Sequence, residues 1–146
     1  MSRIKIEIPA GTGFSVRLVV RISDINYGGH LGHDRLISML HEARMQFFQH
    51  WGYEELNVEG VGTVIADLGI RYLGEAFVGN ELVIEMIPGD VSRKGFALFY
   101  KVHRAIDQLP VAQAKTALVF FDYADHKAVD IPSAFREKLN SATSES

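Results

Sequence analysis

A chain of 146 residues with 47% hydrophobic content is the size of one domain able to build its own core. A formal net charge of −3 argues against a general nucleic-acid binder, which needs a basic face to neutralise phosphates. With no cysteine there is neither a disulfide framework nor a thiolate nucleophile, which suits a reducing, cytoplasmic setting.

The start of the chain, Met-Ser-Arg-Ile-Lys-Ile-Glu-Ile-Pro, alternates charge with isoleucine and lacks the apolar core of a signal peptide. Its alternation predicts a strand over Ile4–Ile8, then a Pro-Ala-Gly-Thr-Gly turn, then a second strand over Phe14–Ile22 rich in β-branched residues. No apolar run approaches the roughly 18 residues of a membrane span, so no membrane partner is expected.

Next comes Asp24-Ile-Asn-Tyr-Gly-Gly-His-Leu-Gly-His-Asp34, a loop of Gly, Asn, Asp and His that delivers the chain into a helix. Leu36, Leu40, Ala43, Phe47 and Trp51 recur at three- and four-residue spacings and predict one buried face, with Arg35, Glu42, Arg44, Gln46 and Gln49 on the remainder. Gly52 marks the end, and Asp34 puts a negative charge at the positive end of the helix dipole. A loop carrying titratable groups to a helix N-terminus, where backbone N–H donors lack partners, is where chemistry is easiest to build.

Beyond the helix, Thr63–Tyr72, Glu81–Ile87, Ala97–Arg104 and Ala112–Phe121 read as strands separated by turn residues. Short connections predict a four-strand antiparallel meander with the helix covering one face, an α+β unit. An amphipathic segment over Pro132–Leu139 closes the domain, 1–139, and 140–146 reads as a disordered polar tail. Phe47, Phe48, Trp51, Phe77, Phe96 and Phe99 are candidates for a core or for the lining of a substrate tunnel.

This order of elements is that of the hotdog fold, and the chain resembles the acyl-CoA thioesterases of the 4-hydroxybenzoyl-CoA thioesterase type. The likeness rests on Asp24-Ile-Asn26-Tyr-Gly-Gly29-His30 entering a helix with Glu42-Ala43-Arg44, then on Gly60-Val-Gly-Thr63, Val91-Ser-Arg-Lys-Gly-Phe96, Val119-Phe-Phe-Asp122 and Ile131-Pro132. It implies hydrolysis of an acyl-CoA by a homodimer or homotetramer with sites at the subunit interface, no cofactor beyond the CoA of the substrate, and a backbone N–H at His33 that polarises the thioester carbonyl. Gly29 and Thr63 fall at substrate-binding positions, and Arg93 and Lys94 match the basic turn that holds CoA phosphates.

The sequence departs from the family at Asn26, which stands where the catalytic carboxylate does. An amide orients a water but neither attacks as a carboxylate nor accepts its proton. Asp24 and His30 are the nearest replacements, and His41 or Glu42 matches another branch whose acid lies two turns into the helix. His30 and His33 form a His-x-x-His pair, but no third ligand pattern accompanies it, so no metal is expected. Two other functions stay open: an enoyl-CoA hydratase, from Asp24-x-Asn26 with His30 and Asp34 following, and a noncatalytic acyl-thioester-binding protein.

Overall fold

A computed structural model of the chain describes residues 2–11 and 13–144, so Thr12 of the expected turn and residues 145–146 of the expected tail lie outside the described residues. Strands β1 (Phe14–Val19), β2 (Gly62–Tyr72), β3 (Glu81–Gly89), β4 (Gly95–Arg104), β5 (Pro110–Asp122) and β6 (Lys127–Ala128) form one antiparallel sheet in the order β1-β3-β4-β5-β2, with β6 on β5. Helix α1 (His33–His50) is the long central helix that the sheet wraps, and α2 (Ser133–Ser144) closes one end. The architecture is the α+β hotdog fold.

Several expectations are corrected, among them the second strand, which ends at Val19 and not at Ile22. Only β3, β4 and β5 form a meander; β2 pairs with β5 at the far edge and not with β3. The connection 73–80 carries the chain back across the end of the sheet, held by Leu73 N–H and Gly74 N–H on the Val111 carbonyl. Gly79-Asn80 is only its last turn, closed by Asn80 N–H on Phe77 O.

Residues 4–8 are not a ladder strand. Ile4 and Ile6 lie on the outer face of the sheet over Gly69, where a Cβ would stand 3.6 Å from Ile4 Cδ1 and 4.0 Å from Ile6 Cδ1, and Pro9 reaches Gly89 beside Phe99. This strap accounts for Ile87, Ala97 and Phe99 being buried yet outside the main core cluster. Finally, α2 runs through 140–144, so the helix continues into the segment expected to be a tail.

The periodicity of α1 places Leu36, Leu40, Ala43 and Phe47 against the sheet as expected. Gly52, at φ +89°, takes the left-handed conformation that stops the helix. Phe135 of α2, wholly buried, packs on Phe48, Trp51, Phe96 and Phe120 at ring separations of 6.0, 5.3, 5.4 and 5.3 Å. Those aromatics are therefore core packing, worth about 2–3 kcal/mol for a side chain fully withdrawn from water. Phe77 is exposed.

Arg44 is not on the solvent face. It is buried beneath α1, with Nε donating to Glu55 Oε2 at 3.1 Å and a terminal nitrogen donating to Tyr100 Oη at 3.3 Å. The Tyr100 hydroxyl in turn meets Thr116 Oγ1 at 2.8 Å, and His41 Nε2 lies 3.4 Å from the other Glu55 oxygen.

Candidate active site at the head of the central helix

β1 stops at Val19 because Asp24 draws the backbone into a tight turn over Ile22–Asp24. The Asp24 carboxylate accepts the Arg21 backbone N–H at 2.8 Å and the Arg21 guanidinium at 3.4 Å, while its carbonyl accepts Gly32 N–H at 3.0 Å. Burial alone would push this carboxyl up, but the Arg21 backbone N–H and guanidinium outweigh burial and hold it below the usual carboxylate range. Asp24 is thus an ionised brace.

A group whose titration is lowered by folding stabilises the native state above its unfolded pKa and loses that contribution as pH falls through the native one. Asp24→Asn is therefore expected to cost about 1–2 kcal/mol at neutral pH. In urea melts the gap from wild type should close as the pH is taken below the ordinary carboxylate range.

Asn26 is the hub of the loop. Its N–H donates to His30 O at 2.9 Å, its carbonyl accepts Gly29 N–H at 3.1 Å, and Oδ1 accepts the N–H groups of Gly28 at 2.9 Å and His30 at 3.4 Å. Gly29, at φ +85°, supplies the left-handed turn that this closure requires. Leu31 N–H on Ala76 O at 2.8 Å ties the loop to the 73–80 connection.

His30 is half-buried, with Nδ1 3.2 Å from the Leu31 carbonyl. A carbonyl only accepts, so Nδ1 carries the hydrogen and Nε2 keeps a free lone pair. The glycine at 28 leaves that nitrogen uncovered, since a Cβ there would stand 3.5 Å from Nε2.

Gly32 is the N-cap of α1 and the first helical bond runs from Leu36 N–H to Gly32 O, so the N–H groups of the first turn have no acceptor within the helix. His33 is exposed; its carbonyl accepts the Tyr72 hydroxyl at 2.9 Å and its ring meets Tyr72 edge-on at 6.3 Å. Asn26, Tyr27, Gly28, His30, His33 and Asp34 line one cleft of about 470 Å³. The loop therefore brings an imidazole acceptor and helix-end donors to one space.

The other expected site residues lie elsewhere. Thr63 is buried, its hydroxyl donating to Glu55 O at 3.0 Å. Glu42 lines a second cleft of about 360 Å³ with Leu18, Val19, Arg21, Asp24, Ser38 and Met39, while His41 faces Glu55 on the opposite flank of α1. His41 stands about 12 Å along the axis from His33, at ~1.5 Å per residue.

Arg93 and Lys94 occupy the β3–β4 turn. Arg93 pairs with Asp130 at 3.1 Å, and its carbonyl accepts Ile131 N–H at 2.9 Å. The turn meets β5 near Val119, which pairs with Val64, whereas His33 meets Tyr72 at the other end of β2. At ~3.3 Å per residue that separation is about 26 Å, so one chain does not gather turn and cleft together.

One residue lining the cleft, the exposed Tyr27, is not singled out by sequence pattern. Asp34, which the sequence marks both as a dipole partner and as the acid following His30, also lines it. Tyr72, at the end of β2, does not line the cleft but braces its edge through the hydroxyl on His33 O, which nothing local in the sequence marks.

No helix among the described residues is long and apolar enough to cross a membrane. Residues 20–139 match the family model described as the thioesterase-like superfamily. Among solved structures, a 1,4-dihydroxy-2-naphthoyl-CoA thioesterase from Synechocystis is similar at 20% identity and TM-score 0.80, over 88% of this chain and 96% of that one. A thioesterase-superfamily protein from Jannaschia is similar at 18% identity and TM-score 0.82, over 93% and 86%. A Pseudomonas aeruginosa protein is similar at 22% identity and TM-score 0.80, over 88% and 99%. At these identities the likeness establishes the fold. Among curated proteins, none matches.

Proposed function

This chain belongs to the thioesterase-like superfamily, and from that premise we propose that it hydrolyses an acyl-CoA to a carboxylic acid and free CoA, in the manner of the 4-hydroxybenzoyl-CoA type. The observation that carries the reading is the cleft in which the acceptor Nε2 of His30 and the uncapped head of α1 face the same space.

The thioester carbonyl oxygen lodges on the His33 N–H, where helix-end donors offset the charge that develops on it, an effect worth about 3 kcal/mol for one donor. His30 Nε2 takes a proton from water as the water oxygen bonds to the carbonyl carbon. The tetrahedral adduct then collapses, the C–S bond breaks, and the CoA thiolate leaves and recovers that proton. Asn26 keeps the loop closed and Gly29 permits its turn.

A hydratase would need Asp24 beside His30, but the Asp24 carboxylate is turned to Arg21. Hydrolysis is the better fit. Incubating the protein with short, long and aromatic acyl-CoAs should release thiol from at least one. Binding without release across all of them would leave a noncatalytic acyl-thioester carrier.

We further propose a homodimer, alone or paired into a tetramer. β2 ends the sheet with Ile65 and Leu68 each 40% exposed, and an unpaired apolar edge strand favours self-association. A partner is also the means of bringing a basic turn to the cleft. Light scattering at micromolar concentration should give at least twice the chain mass. In that assembly Arg93→Ala with Lys94→Ala should weaken CoA binding and flatten its salt dependence; unchanged affinity would remove the turn from the site.

A further inference from the structure

Among the residues lining the helix-head cleft, the one carboxylate is Asp34. An acidic residue in a first helical turn ordinarily serves the dipole or hydrogen-bonds a free N–H. The Asp34 carboxylate makes no hydrogen bond and no ion pair among the described residues. Instead Oδ1 folds back over Gly32, 2.8 Å from where a Cβ at that position would stand. Gly32 has φ −68°, a conformation open to any residue. The one atom that comes closer than 3.6 Å to that point is the tip of the exposed Asp34 side chain.

Tyr72 lies near enough to feel the charge of the same carboxylate. Burial pushes its phenol up and the charge of Asp34 adds to the rise, while its hydroxyl is committed to His33 O. Asp34 thus sits against the head of α1, next in sequence to the N–H that receives the carbonyl oxygen, with its acceptor atoms unused.

We propose that Asp34 holds the attacking water, accepting one O–H while His30 Nε2 accepts the other. This rests on the hydrolase reading above. A water held by a single acceptor turns freely about that bond; two acceptors aim its lone pair at the carbonyl carbon, and fixing orientation is a large part of catalysis. Asp34 begins and ends ionised, because the transferred proton goes to His30 and then to the thiolate. A carboxylate beside a developing oxyanion carries an electrostatic cost, which the positive end of α1 offsets. The negative charge absent from position 26 is in this way retained in the cleft at position 34.

The test uses the full chain with Asp34→Ala, which removes both acceptor oxygens, because Asn or Ser would keep an oxygen able to orient the same water. Thiol release is measured alongside partitioning of the acyl group between water and added hydroxylamine, a nucleophile strong enough not to need the held geometry. Hydrolytic kcat should fall about 10- to 100-fold, the scale of a lost acid–base or orienting contact. KM and melting temperature should stay near wild type, and the ratio of hydroxamate to acid should rise by a similar factor. A merely structural role would lower melting temperature and activity together and leave that ratio unmoved; this outcome, or wild-type kcat with a wild-type ratio, overturns the role. A wild-type protein that releases no thiol from any acyl-CoA removes the hydrolase reading first and Asp34 with it.

Discussion

Replacing His30 with Gln should cut thioester hydrolysis by about 100-fold or more, the usual size of a general acid–base contribution. Gln keeps a hydrogen-bonding side chain of similar reach, and the loop closure runs through the His30 backbone, whose N–H and carbonyl both meet Asn26. The fold should therefore survive, with unchanged urea midpoint and circular dichroism. The loss should fall on kcat, because in the proposed mechanism the imidazole acts on the water and not on the bound CoA.

The sharper arm adds Asn26→Asp to the His30→Gln background. Asn26 Oδ1 already accepts two N–H groups, and an aspartate oxygen accepts them equally well. The second oxygen would put a carboxylate where the resemblance to the 4-hydroxybenzoyl-CoA type expects one, so part of the lost rate should return. If His30→Gln hydrolyses as fast as wild type, the base is not His30.

The elements legible in the sequence are those fixed by neighbours. α1 shows itself through apolar spacing and its Gly52 stop, and the site loop through its glycines, because helix periodicity and left-handed turns are local properties. The position of β2 was not legible. Whether a strand pairs with the next in sequence or with one further on is decided by which edge a connection can reach, and 73–80 is long enough to cross the sheet end. The strap over 4–8 was misread for the related reason that alternation specifies which side chains face the protein, not whether the backbone finds a ladder. Asp24 and Asn26 stand out by motif, but their inward hydrogen bonds and the exposure of Nε2 on His30 depend on how the loop closes.

Arg44 is the residue whose environment was least visible, since its partners Glu55 and Tyr100 lie 11 and 56 residues away. The second prediction follows from that burial. Removing the carboxylate with Glu55→Ala leaves a guanidinium in the core with only a phenol to meet it, and breaking a buried pair costs about 3–5 kcal/mol. Because the Glu55 side chain is 19% exposed, water recovers part of the loss and about 3 kcal/mol is expected. Burial pushes the Tyr100 phenol up, so that group stays neutral and cannot replace the missing charge.

Removing both charges with Arg44→Met and Glu55→Leu should cost less than Glu55→Ala alone, because no unpaired ion then remains in the core. A Glu55→Ala variant as stable as wild type in urea would show that Arg44 escapes to water. The network also joins stability to function: Glu55 grips α1 through His41 and Arg44, while Tyr100 and Thr116 anchor Arg44 to β4 and β5. Loosening that grip lets the helix shift over the sheet. Since the proposed oxyanion donor is the head of the same helix, the double variant should keep the fold yet lose kcat, the mark of donors moved from where the carbonyl oxygen must lie.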